Sequence, residues 1–421
     1  MYDQSFSKRA LARVLYQGDF WGVPAATRVA YTKDLLDNAS TSAHSDLQAA
    51  VANPLTSFLL KKKPVFQMAH LHHDIVLRKI SRNLRRHRKG VLKGRGAIIA
   101  CLRLLLEEGV PYRVYRLDIR SFYESFSKAQ IKTVISGMEG LSPLTKKLTL
   151  TVLRNHTLLG GRGLPRGLAL SGILSDMLMN TFDTTISSKK GVHFYSRYVD
   201  DIIIMTSGEE KESEFIRNIK KALPEELALN PNKQKIVSLE KRVSSVVSTT
   251  IPNRLAEIEY LGYQFTVDEP LRHSGKPPGS YLRDVLVEIA DSKIKKIKTR
   301  IARSFLAFKI DNDWPLLLDR IKYLTNNFSI LHKTGSRKLA GIYYSYPMLT
   351  SESDSLRELD YFLKNAVLSK SGGGTRIGGV LLSSTQRRAL LAQSFRTGHS
   401  SKSFVHFSAP RIAMIQKCWR Y

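Results

Sequence analysis

Residues 198–205 read YVDDIIIM, an apolar, β-branched run suited to a buried strand, broken by two adjacent carboxylates. Burying an unpaired carboxylate is costly, and neighbouring carboxylates repel each other. A fold that accepts this segment must either leave Asp200 and Asp201 at a solvated hairpin turn or bring a cation to them. Asp118 has a comparable setting, at the end of the alternating run YRVYRLD. A hard divalent cation answers the electrostatic problem. Mg²⁺, with Mn²⁺ as an alternative, takes carboxylate oxygens and keeps ligand positions for substrate phosphates. Two such ions about 4 Å apart can clamp the attacking and leaving oxygens of a phosphoryl displacement.

The charge balance points the same way. The 421 residues carry 66 Lys+Arg against 36 Asp+Glu, a net charge of +30, which is the electrostatic footprint of a protein with a polyanionic partner. Twelve cations between Lys61 and Arg95 face one acid, Asp74, with Ile75, Leu77, Ile80 and Leu84 among them at helical spacing; this predicts a folded element with one basic face and not a disordered tail. A second basic zone follows Asp360, after which no acid occurs. The only two cysteines, Cys101 and Cys418, lack zinc spacing, and no signal peptide or membrane span is expected, so the sequence reads as a cytoplasmic protein with no membrane partner. His70, His72 and His73 read as part of a surface helix rather than a metal cluster. Tyr343, Tyr344 and Tyr346 suit core packing at least as well as base stacking. The Gly-rich stretch 371–379 lacks the GK[ST] of a phosphate-binding loop and reads as a connector.

Along the chain, the first sixty residues read as helical. AIIACLRLLLEEG predicts a helix ending at Gly109, residues 112–126 a strand that ends in a turn or helix, 143–159 a helix, and ILSDMLMNTFDTTI a helix after the glycine-rich GGRGLPRGLALSG. A hairpin follows, then a charged amphipathic helix over 209–229 and a strand at 258–265. HSGKPPGS (273–280) reads as a boundary, and the chain beyond Tyr281 as mostly helical.

Five blocks occur in order: LDIRSFYES, GLPRGLALSG, YVDD, LNPNK and YLGY. In these blocks the sequence resembles the reverse transcriptases over about residues 75–265. The resemblance implies an α+β fold of right-hand polymerase type. An N-terminal helical segment (1–60) and basic fingers (61–111) would precede a palm of antiparallel sheet and helices (112–272) and a helical thumb with a basic C-terminal region (273–421). It implies that Asp118 and Asp200 are the main metal ligands, with the Ile119 carbonyl assisting and Asp201 supporting. Tyr123 falls at the sugar gate that favours dNTPs over rNTPs. Lys233 falls beside the leaving pyrophosphate, and Leu261-Gly262 at the primer grip. Gly167 and Ser171 belong to the template- and nucleotide-facing loop. Arg85, Arg86 and Arg95 are candidates for triphosphate contact. There are departures. Arg166 replaces a common Gln and could contact the nucleotide with a forked donor, Gly172 replaces a common Pro, and Gln234 replaces the usual Thr.

No ribonuclease H, integrase or protease segment is visible. MYDQSFS, the PRG variant, SRYVDD and GIYYSYP look like the bacterial unknown-group reverse transcriptases of phage defence, and most resemble the first polymerase of type 3 defence-associated systems. That resemblance implies a noncoding RNA template, a companion reverse transcriptase, a DNA product made from dNTPs, and a higher-order oligomer. Two other readings stand beside it: a template-independent or protein-primed DNA nucleotidyltransferase, and a non-catalytic RNA-binding scaffold. The intact aspartate set opposes the scaffold.

Overall fold

The computed structural model describes residues 3–47, 53–87, 94–240, 253–269, 282–351, 353–368 and 381–420. The elements run α1 (Lys8–Ala12), α2 (Arg28–His44), β1 (Leu55–Leu60), β2 (Lys63–Met68), α3 (Leu71–Arg85), α4 (Arg95–Leu106), β3 (Tyr112–Asp118), α5 (Lys128–Ser136), α6 (Pro143–Leu158), α7 (Ala169–Ser187), β4 (Val192–Tyr198), β5 (Asp201–Thr206), α8 (Glu212–Ala222), β6 (Lys235–Leu239), β7 (Arg254–Tyr260), β8 (Tyr263–Asp268), β9 (Asp284–Ile289), α9 (Asp291–Asp311), α10 (Trp314–Thr325), β10 (Asn327–Leu331), β11 (Arg337–Gly341), α11 (Ile342–Ser345), α12 (Asp354–Leu368), α13 (Ser384–Leu391), α14 (Phe395–Ser400) and α15 (Ala409–Lys417). The class is mixed α+β. No helix among the described residues is long and apolar enough to cross a membrane.

The chain divides into two compact units, one of Met1–Leu92 with Pro111–Glu240 and one of Lys93–Val110 with Lys241–Tyr421. The first is built on an antiparallel sheet of order β4-β5-β3-β6. Its central strands bury Tyr115, Leu117, Ile202 and Ile204, so the apolar run after Asp201 lies in the core, as its β-branched composition requires. Local chemistry sets the helix starts. The Ser127 hydroxyl accepts from the Ala129 N–H, and Ser142 caps α6 with Pro143 at the first helical position. The second unit pairs β7-β8-β9 and packs α9, α10 and α12 around Phe305, Leu317, Ile321 and Leu359.

Several expectations are corrected. The first sixty residues end in a strand, β1, paired with β2. The region beyond Tyr281 contains β9, β10 and β11, short strands that pair with the neighbouring strand in the chain, β9 with β8 and β10 with β11. Helix α4 stops at Leu106, before Gly109. The cations of α3 are not all solvated: Arg78 is buried, forking onto Asp19 at 2.6 and 2.9 Å and bonding Asp74, with Tyr16 under its guanidinium. Lys79 is buried too and donates to the Asp3 carbonyl at 2.6 Å. His73 is buried beneath His70 and His72 rather than on a surface. The stretches 273–280 and 371–379 lie outside the described residues.

Candidate active site

The carboxylates meet where β3 and β5 end. Asp118 and Asp201 are register partners across this antiparallel pair, and the Ile119 N–H donates to the Asp200 carbonyl at 3.1 Å. The turn between β4 and β5 is tight, with Val199 in the left-handed region at φ 62°. Asp118 is 5% exposed, while Asp200 and Asp201 are half-buried. Burial, and then the neighbouring Asp118 charge, push the Asp200 carboxyl above the usual range. Asp201 is raised likewise, by burial first and by Asp200 next. Carboxylates held at such a cost are good hosts for a cation.

Asp118 already has cationic and polar company. Lys233 Nζ lies 2.8 Å from Oδ1, and Asn230 Nδ2 donates to Oδ2 at 3.1 Å. The Asn230 N–H also donates to the Asp118 carbonyl at 2.8 Å, and its side-chain oxygen caps the 3-10 turn Pro231–Lys233. The hydrogen bond to Asp118 raises the Lys233 pKa, so this lysine stays a cation. Among the described residues, no three His, Cys, Asp or Glu side chains gather tightly enough to hold a metal by themselves. The donor set nevertheless fits a hard cation of the Mg²⁺ kind: carboxylates of raised pKa beside a backbone carbonyl, with coordination completed by substrate phosphates and water. Asp118, Asp200 and Asp201 would hold it, with the Ile119 carbonyl.

Tyr123 sits beside this cluster. Its ring is half-buried against Phe122, and its hydroxyl pKa is raised by burial first and by the Asp200 charge second. The Tyr123 carbonyl accepts from the Leu164 N–H at 2.7 Å, which fixes the 163–168 loop to it; a Cβ on Gly163 would lie 2.2 Å from that carbonyl oxygen. Arg166 forks onto Glu124 at 2.9 Å, and its guanidinium lies 5.6 Å from the Tyr123 ring centre. Gly167, at φ 103°, backs onto β2, where a Cβ would meet the Phe66 carbonyl oxygen at 2.6 Å.

Two candidates are engaged within the protein. Ser171 is buried and its hydroxyl donates to the Pro165 carbonyl at 2.6 Å, which braces the loop. Arg95 donates to the Leu261 and Ser345 carbonyls, at 2.9 and 2.8 Å, and stacks between Tyr263 and Tyr346, contacts that lie within the second unit. Leu261 and Gly262 form the β7–β8 turn of that unit, at φ 48° and 80°. Arg85 and Arg86 are exposed at the end of α3. Of the three tyrosines, Tyr346 packs on Tyr263, while Tyr343 lies under Lys402. Sequence reasoning missed Asn230, Glu124 and Arg197. Each stands inside a quoted block or directly before one, but its role depends on a partner far away in sequence.

Residues 73–265 match the family model described as reverse transcriptase (RNA-dependent DNA polymerase). No curated protein matches the chain. Among solved structures it is similar to the apo telomerase of Candida tropicalis truncated from its C-terminal domain, at 16% identity over 45% of this chain and 42% of that one, with a TM-score of 0.30. It is similar also to the telomerase of Candida albicans in complex with the TWJ fragment of telomeric RNA, at 12% identity over 82% of this chain and 53% of that one, again with a TM-score of 0.30. The chain spans about half the length of these two proteins.

Proposed function

We propose, from the premise that the chain carries a reverse transcriptase domain and that such a domain implies an RNA-directed DNA polymerase, that it copies a noncoding RNA into DNA from dNTPs in a bacterial antiphage defence system. The observation that carries the catalytic part is the register pairing of Asp118 with Asp201 at the strand ends, with Asp200 tied to Ile119. Fingers, palm and thumb are assigned on the same reading, the β4-β5-β3-β6 sheet serving as palm. The defence role, the companion reverse transcriptase and the oligomer rest on the sequence resemblance.

The reaction joins a primer 3′-hydroxyl to the α-phosphate of a dNTP and releases pyrophosphate. Bound Mg²⁺ or Mn²⁺ supplies activation of the hydroxyl and neutralisation of charge on the phosphates. Asp118 and Asp200 would hold that ion with the Ile119 carbonyl, with Asp201 as a supporting charge. Lys233, more than half exposed and held as a cation, can leave Asp118 and move onto the pyrophosphate, stabilising its charge or donating a proton. The Tyr123 ring lies under the sugar and excludes a 2′-hydroxyl. Arg166, steadied by Glu124, faces the nucleotide beside that ring. Leu261-Gly262 guide the primer strand, and the exposed Arg85 and Arg86 meet phosphates.

The test is sequencing of the DNA that copurifies with the protein, with its RNA present, altered or removed. Products that change with the RNA support templating. Products that keep their sequence when the RNA changes replace this reading with template-independent synthesis.

A further inference from the structure

The turn that carries the two aspartates is strained, and one side chain holds it. Val199 is β-branched and adopts φ 62°, a backbone region such residues rarely enter and that persists only where neighbours enforce it. Arg197, two residues earlier on β4, donates through Nη1 to the Val199 carbonyl at 3.0 Å. The rest of its guanidinium is spent on α7. Nε and Nη2 fork onto the Asp183 carboxylate at 2.8 and 2.7 Å, and Nη2 lies 3.5 Å from Asp176. The Tyr195 hydroxyl donates to the same Asp183 oxygen at 2.5 Å, and Phe122 lies 6.0 Å from the guanidinium carbon. The Arg197 side chain is only 5% exposed. Its burial opposes the charge, but the hydrogen bonds and charge of Asp183 outweigh that, so it stays a cation.

A buried, bidentate guanidinium has little freedom to move, so its remaining donor is a fixed point in the fold. Helix α7 begins at the end of the 163–168 loop, whose Leu164 is bonded to Tyr123. We propose that Arg197 is a positioning residue for the carboxylate turn: anchored on Asp183 and Asp176 of α7, it grips the Val199 carbonyl and holds the left-handed backbone from which Asp200 and Asp201 project. The turn and the nucleotide loop are thereby set by one helix. This rests on the polymerase reading for what the aspartates do, so the test reads metal binding separately from synthesis.

Arg197→Lys keeps the charge but cannot fork onto Asp183 and reach Val199 together. The variant should weaken Mn²⁺ binding, followed by electron paramagnetic resonance, by roughly tenfold, and lower kcat by about 10- to 100-fold with the dNTP KM unchanged. A glycine adopts φ 62° without strain, so in a Val199→Gly background the same Arg197→Lys change should cost much less. Should Arg197→Lys not fold, Asp183→Asn loosens the anchor and should produce a smaller loss of the same kind. An Arg197→Lys protein with unaltered Mn²⁺ affinity and kcat overturns the proposal, as does an equal loss in the Val199→Gly background. The Asp200→Ala, Asp201→Ala double variant separates the two levels. Loss of Mn²⁺ there but not in Arg197→Lys overturns the clamp alone. Full Mn²⁺ binding in the double variant overturns the metal reading and the clamp with it.

Discussion

The Lys233 ammonium lies 2.8 Å from Oδ1 of Asp118, a cation resting on the most buried of the three carboxylates. The lysine is over half exposed, and on the proposed function it exchanges between the aspartate and a phosphate. Replacing Lys233 by Ala should lower single-turnover incorporation by about 10²-fold, within the usual range for a positioned proton donor, and leave RNA binding unchanged. Lys233→Arg should recover part of the rate if charge is the main contribution. An alanine variant with the wild-type rate removes Lys233 from the chemistry.

The Tyr123 ring packs edge-on against Phe122 and lies 5.6 Å from the Arg166 guanidinium, while the 163–168 loop is bonded to its backbone carbonyl. On the proposed gate role, a 2′-hydroxyl would collide with this ring. Tyr123→Ala should therefore accept rNTPs, narrowing the dNTP preference by roughly tenfold or more, because steric exclusion and not a hydrogen bond makes the distinction. Competition between dGTP and GTP in primer extension checks this; continued strict exclusion assigns the gate elsewhere.

Two glycines of the same loop-to-helix junction should respond oppositely to alanine. At Gly167 the φ of 103° and a Cβ 2.6 Å from the Phe66 carbonyl oxygen leave no room. Gly167→Ala should cost about 1–3 kcal/mol in denaturant unfolding. Gly172 lies in α7, and a Cβ added there would meet nothing within 4 Å, so Gly172→Ala should be neutral or stabilising by up to about 1 kcal/mol. Equal effects at both positions would contradict the packing described.

His73 is buried, with no hydrogen-bond partner for either ring nitrogen, and burial followed by the charge of His72 lowers its pKa from 6.5 to about 4. The folded state thus keeps this imidazole neutral while the unfolded chain takes up a proton. Its contribution to stability is complete above pH 6.5 and is lost as pH falls towards 4. A His73→Leu variant should show a flatter fall in melting temperature across that window than the wild type. Parallel curves would mean that His73 is solvated and titrates normally.

The aspartates were legible in sequence because their context is local: an apolar strand that cannot hold two carboxylates, preceded in the chain by another such strand end. Tyr123 and Lys233 were singled out only through the order of the blocks, since nothing in their immediate neighbours sets them apart; their nearness to Asp200 and Asp118 emerges only in the fold. The cations of α3 misled, because composition does not reveal that Asp19 and the Asp3 carbonyl, both from the N-terminal segment, cover Arg78 and Lys79. The surroundings of Arg95 were hidden for the same reason: its partners, Leu261 and Ser345, lie 166 and 250 positions away. Strands β9 to β11 were read as helix because each is short and draws its stability from a paired neighbour rather than from its own propensity.

The central claim is that Asp118, Asp200 and Asp201 form the metal-dependent centre of an RNA-copying DNA polymerase. Its most direct test is extension of a DNA primer on an RNA template with dNTPs and Mg²⁺, comparing the wild type with the Asp200→Ala, Asp201→Ala double variant, alongside RNA binding by the same preparations. The account expects template-dependent extension by the wild type, none by the variant, and RNA affinity within about twofold for both, since the aspartates make no phosphate contact without metal. Incorporation that continues unchanged in the double variant would contradict it.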